Sequence, residues 1–171
     1  MARRWRIKTN KSLRDNAKLA VPRMLDDFLD RRDRVLAHPR LKNELHRMRL
    51  AGKTLRYAME VFEHAFGGEF SSCLEQLKNL LNTMGTIHDC DVHVPKMQSY
   101  LREVRLFNRA SPTPQDKIHT GPMTDLIREQ LARRKSLFLE MTEIIEQWTR
   151  ENFKGKVLQS MNLSIEAESS V

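Results

Sequence analysis

The stretch Leu45-His46-Arg47-Met48-Arg49-Leu50-Ala51-Gly52-Lys53-Thr54-Leu55-Arg56-Tyr57 interleaves cations and apolar side chains with the period of an α-helix. At about 100° per residue, His46, Arg49, Lys53 and Arg56 fall within a sector of roughly 80°, and Lys42, one turn earlier, falls in the same sector. Met48, Ala51, Leu55, Ala58, Met59 and Phe62 take the opposite side. A helix divided in this way buries its apolar stripe against other helices. The partner helices are therefore to be sought on either side of it.

Upstream, Leu13, Ala17, Ala20, Met24, Phe28 and Val35 recur at helical steps, predicting a helix from about Ser12 to Leu36 with Ser12 as its N-cap. His38-Pro39 interrupts it, and the central helix runs from about Arg40 to Phe66, closed by Gly67-Gly68. Downstream, Leu74, Leu77, Leu80, Leu81 and Met84 mark a third helix over about Ser71 to Phe107, with a kink or short break expected near His93 because Pro95 lies inside it. Asn108 to Thr120, with Ser111-Pro112-Thr113-Pro114, reads as a linker. The fourth helix follows Gly121-Pro122 to about Phe153, carrying Leu131, Phe138, Met141, Ile145 and Trp148 on one side. No strand pattern occurs. The expectation is an all-α four-helix bundle, mainly up-and-down, with long antiparallel helices. Its expected organisation is a basic arm over residues 1–11, a helical domain over 12–153 and a mobile tail over 154–171.

Composition sets the bounds of function. A chain of 171 residues with 40% apolar and 30% charged residues suits one globular domain, and only 6% aromatics make its core aliphatic. Thirty Lys and Arg against 22 Asp and Glu give a formal charge of +8, which favours acidic partners such as nucleic acid, an anionic surface or a polyphosphate. No stretch approaches the roughly 20 apolar residues of a membrane span. The basic start Met1 to Lys8 lacks the apolar run of a secretory signal, so the sequence predicts a cytoplasmic chain. Cys73 and Cys90 form no CxxC pair and read as reduced packing residues.

From His46 to Arg56 the cationic stripe spans roughly 15 Å, longer than one phosphate requires and suited to several in succession. Arg presents a planar fork to paired oxygens, and Lys a compact charge with three donors. His46 can donate when neutral or add charge when protonated, so binding is expected to tighten at mildly acidic pH. A polar face on a half-buried helix is ordinary. Yet no acidic residue of this sector lies between Lys42 and Arg56 to relieve the repulsion of like charges.

The run His46-x-x-Arg49-x-x-x-Lys53-x-Leu55-Arg56-Tyr57, followed by Leu81-x-x-Met84-Gly85-x-x-His88-Asp89-x-Asp91-Val92, resembles the CHAD family of helical polyphosphate-binding proteins, over about Arg14 to Trp148. The resemblance implies that His46, Arg49, Lys53 and Arg56 face a basic groove and hold inorganic polyphosphate without catalysis, cofactor or metal. It also implies a place at polyphosphate deposits. Members of the family commonly carry two such units, whereas this chain has one motif, so a homodimer is expected to supply the second stripe. Thr54 stands where a further cation is often found. Gly52, inside the helix and toward its apolar side, predicts a close helix approach.

Lys42, Tyr57 and Arg134 are weaker candidates for the same ligand. Arg134 shares the sector of Leu131, Phe138, Met141 and Ile145, so it either enters the groove or forms a buried salt bridge. Arg3, Arg4, Arg6, Lys8 and Lys11 form a loose second cationic cluster. His88 and Asp89 are expected to orient cations from behind. The rival reading makes them the dyad of an HD-type metal-dependent phosphohydrolase completed by His64 and Asp125. A non-specific nucleic-acid binder is the other alternative. No sequence-specific motif is evident, and Tyr57 and Tyr100 are too few for a stacking platform.

Overall fold

The structure is a computed structural model that describes residues 7–162. Helices α1 (Leu13–Leu29), α2 (Arg32–Ala37), α3 (Lys42–Phe62), α4 (Gly68–Ala110), α5 (Gly121–Arg150) and α6 (Phe153–Ser160) follow in order. The fold is all-α with long antiparallel helices, and no strand occurs among the described residues. Residues 1–6 of the expected basic arm and 163–171 of the expected tail lie outside the described residues.

The chain divides into two compact units. One joins the residues up to Asn82 to those from Thr142 onward; the other is Thr83–Met141. In the first, Ser12 caps α1 as expected, its hydroxyl accepting from Asp15 N at 3.0 Å. The buried Asn16 amide holds the preceding segment by donating to the Lys8, Lys11 and Ser12 carbonyls while its oxygen accepts from Lys8 N. Ala17, Ala20, Val21, Leu25 and Phe28 of α1 pack with Leu45, Met48, Leu55, Met59 and Phe62 of α3. Gly52 marks a close approach: a Cβ there would stand 2.6 Å from Leu81 Cδ2 and 2.8 Å from Phe28 Cε2.

Four boundaries differ from the sequence reading. The single helix expected over Ser12–Leu36 is broken at Asp30-Arg31. Asp26, Asp27 and Asp30 crowd a helix end whose last turn holds no basic residue, and negative charge opposes the dipole there. The Gly67-Gly68 stop works differently too. Helix α3 ends at Phe62 in a 3-10 turn over Glu63–Ala65, Gly68 opens α4, and no glycine has positive φ. The break expected near His93 is absent, α4 being continuous through Pro95 to Ala110. Finally, residues 154–160, expected to begin a mobile tail, belong to α6. Asn152 at φ 51° turns the chain out of α5 and caps α6 by accepting from Gly155 N at 3.1 Å. Phe153 stacks on Trp148 at 3.7 Å between ring centroids, and Val157 and Met161 are buried.

The second unit is a helical hairpin made of the later part of α4 and the earlier part of α5. Val94, Leu101 and Ile127 form its distal core, with Met97 and Met123 against them. The expected linker is a clasp: the Asn108 side chain donates to Ile118 O and accepts from Ile118 N, both at 2.8 Å. Cys73 in the first unit and Cys90 in the second are free and buried, and burial pushes both thiols up. They remain protonated packing groups.

Candidate functional site

Helix α3 buries Leu45, Met48, Gly52, Leu55, Met59 and Phe62. The residue following each of the first four is His46, Arg49, Lys53 or Arg56, and all four are half-buried. Arg47, Leu50, Thr54, Tyr57 and Val61 form the exposed face instead. The cations thus stand on the shoulder of the helix, between core and solvent, rather than opposite the core as the helical projection suggested. The reason is that the buried stripe is centred nearer to Met48, Gly52 and Met59 than to Ala51 and Ala58. Gly52 draws it there by admitting Leu81 and Phe28.

Their charges are only partly matched. Arg56 Nε lies 3.6 Å from Glu60 Oε1, an ion-pair distance too long for a hydrogen bond. Glu60 is shared with Lys78 at 4.0 Å, and Lys78 is held more closely by Glu75 at 2.7 Å. Among the described residues, Arg49 and Lys53 have no carboxylate in ion-pair range. The Tyr57 ring lies beneath both neighbouring cations, with Arg56 Cζ 4.6 Å and Lys53 Nζ 6.0 Å from its centroid. Its electron-rich face holds them side by side without neutralising them. Lys42 is exposed in the first turn of α3.

The remaining candidates belong to the second unit. The Arg134 fork is occupied by Asp91: Nε donates to Oδ1 at 2.7 Å and the second terminal nitrogen to Oδ2 at 3.3 Å. Of its two readings, the buried salt bridge is the one formed. Asp89, expected to orient a cation, is exposed. The carboxylate that does so is Asp91, two residues on, a role the sequence reading missed. The signal was present, because Asp91 lies four residues after Ile87 and three before Val94, on the apolar stripe of α4. His88 is half-buried. Among the described residues no three His, Cys, Asp or Glu side chains are gathered to hold a metal ion.

In the first unit a cavity of about 330 Å³ has Met48, Trp148 and Phe153 in its walls and Asp26, Arg32, Asp33 and Lys154 at its rim. Lys154 pairs with Asp26 at 3.0 Å and Arg32 with Asp33 at 2.9 Å. A second cavity, in the hairpin, is lined by Gln98, Leu101, Arg102, Arg105, Thr124 and Ile127. Neither is lined by His46, Arg49, Lys53 or Arg56.

A family model described as the CHAD domain matches residues 1–95, which include both motifs and the whole α3 shoulder. The chain belongs to the CHAD domain family. Residues 96–148, also included in the span expected from the sequence, lie beyond the match. No curated protein and no solved structure matches the chain. Within this CHAD domain Gly52 of the first motif admits Leu81, the first residue of the second, inside the first unit. No helix among the described residues is long and apolar enough to cross a membrane.

Proposed function

We propose that this CHAD domain binds inorganic polyphosphate, without chemical conversion, along the α3 shoulder formed by His46, Arg49, Lys53 and Arg56. Lys42 and Tyr57 assist at its ends. The observation that carries the reading is the half-buried setting of four cationic or potentially cationic groups, two of which, Arg49 and Lys53, have no carboxylate partner among the described residues. Half-burial strengthens each contact to an anion, since fewer waters compete for the donor. The spacing along the helix matches a chain of successive phosphates better than a single one. Counterions released from the polymer drive association, and the guanidinium forks and the Lys53 ammonium fix its path. Arg134 has no part in this reading, because Asp91 already occupies its fork. A second copy of the chain would contribute a second shoulder to a long polymer.

The test is titration of the full chain with long-chain polyphosphate, alone and against DNA and RNA competitors, with solution mass measured alongside. Replacing Lys53→Gln and Arg56→Gln together is expected to weaken polyphosphate binding roughly tenfold or more, at the usual strength of charge-assisted hydrogen bonds. The helical circular dichroism should be unchanged. Wild-type affinity in that double variant would end the assignment. Displacement of polyphosphate by DNA at equal phosphate concentration would favour the nucleic-acid alternative.

A further inference from the structure

We infer that the hairpin unit carries a second anion site, separate from the α3 shoulder, for an amphipathic anion: a phosphate or carboxylate borne on an apolar body. Its location is the cavity of about 340 Å³ between α4 and α5, lined by Gln98, Leu101, Arg102, Arg105, Thr124 and Ile127. That volume is at the lower end of small-molecule sites, which run from about 300 to 1,000 Å³. Its floor is apolar, since Leu101 and Ile127 belong to the buried core of the hairpin. Its rim is cationic, and no carboxylate lines it.

The arginines are not there as structural ion pairs. Arg102 and Arg105 stand one turn apart and form no ion pair or hydrogen bond with any described residue, although repulsion between like charges at this spacing opposes the arrangement. Gln98 and Arg109 fall within the same sector of about 60° as the two arginines, so the rim continues along the helix. Asp125, next to Thr124 in sequence, is paired with Arg128 at 2.8 Å. The Thr124 hydroxyl donates to Thr120 O at 2.9 Å and retains only its acceptor capacity toward the cavity. The donors left for a ligand are therefore two guanidiniums and the Gln98 amide. An inorganic anion would leave the Leu101 and Ile127 floor uncovered, and a neutral apolar molecule would leave the guanidiniums without a partner. Only a ligand with both parts uses the whole site. The inference stands independently of the polyphosphate reading, because it uses no residue of α3.

The test uses 2-naphthyl phosphate as the probe, with inorganic phosphate and 2-naphthol as controls. Each is titrated calorimetrically into the full chain, and the Ile127 methyl resonance is followed by NMR. Naphthyl phosphate is expected to bind roughly tenfold or more tightly than either control and to shift the Ile127 methyl. The exposed double variant Arg102→Gln with Arg105→Gln should lose that advantage and leave long-chain polyphosphate binding unchanged. Lys53→Gln with Arg56→Gln should leave naphthyl phosphate binding unchanged. Equal affinity of wild type and Arg102→Gln/Arg105→Gln for naphthyl phosphate would overturn the proposal, as would a stationary Ile127 methyl. Loss of naphthyl phosphate binding in the α3 variant would overturn it by placing the anion on the other helix.

Discussion

At Gly52 two effects of opposite sign meet. Ala is the better helix former by about 1 kcal/mol, but forcing a methyl into a filled core costs about 1–3 kcal/mol. Leu81 Cδ2 is the mobile end of a side chain, whereas the Phe28 ring, 2.8 Å from the would-be Cβ, is fully buried and cannot swing aside. The clash should win. Gly52→Ala is expected to lower stability by about 1 kcal/mol in urea unfolding, and an unchanged or raised midpoint would contradict the packing described. The Asp91–Arg134 pair allows a sharper test, because the Asp91 side chain retains only 5% of its exposure. Arg134→Met alone strands a buried carboxylate and should cost about 3 kcal/mol, while Asp91→Leu combined with Arg134→Met should restore most of the loss. A thermal double-mutant cycle with additive losses would show that the two groups do not act as a pair. Gly52 was legible in the sequence as a close approach. The Arg134 partner was not legible, because the helical period of α5 alone does not show which acid of a neighbouring helix meets it.

Helix α1 shows how local chemistry sets an element's limits. Its N-cap is reciprocal: Ser12 Oγ accepts from Asp15 N at 3.0 Å and donates to Asp15 Oδ2 at 2.6 Å. That hydroxyl, helped by the charges of Lys11 and Lys18, holds the Asp15 carboxyl below its ordinary value. A carboxyl lowered on folding contributes stability that is complete above the ordinary aspartate range. The contribution shrinks as pH falls through that range and vanishes below the depressed value. Ser12→Ala should therefore lower the thermal midpoint at neutral pH, and the gap between it and the wild type should narrow by pH 3. A gap constant from neutral to acid pH would show that Asp15 takes no part in the cap. Ser12 was readable from its place before an apolar period. The break at Asp30-Arg31 and the continuity of α4 through Pro95 were harder to read, because each depends on how the flanking turns pack. Packing also explains α6: Phe153, Val157 and Met161 follow a polar turn, and their periodicity is too short to be distinguished from a tail without Trp148 to receive them.

For the whole chain, the formal charge of +8 poses a quantitative question: whether a polyanion is held by the general field or by particular side chains. The sequence revealed the cations that share α3, but not their half-burial, which depends on where Gly52 lets the core approach. The division into two units was likewise hidden. Leu80, Leu81, Met84 and Ile87 continue one buried stripe across the boundary at Asn82 and Thr83, so the apolar period does not change there. Salt dependence separates the two kinds of attraction. Each phosphate neutralised contributes a slope of about −0.7 to −0.9 to the plot of log affinity against log salt. The four permanent cations Lys42, Arg49, Lys53 and Arg56 together predict a slope of about −3, and removing Lys53 and Arg56 should bring it to about −1.5. If the whole positive surface were responsible, the slope would be about −6 or steeper and the double substitution would hardly alter it. Polyphosphate titrations of both proteins over several salt concentrations measure the two slopes directly. A steep slope that survives the loss of both side chains would assign the binding to net charge and leave the α3 shoulder without a ligand.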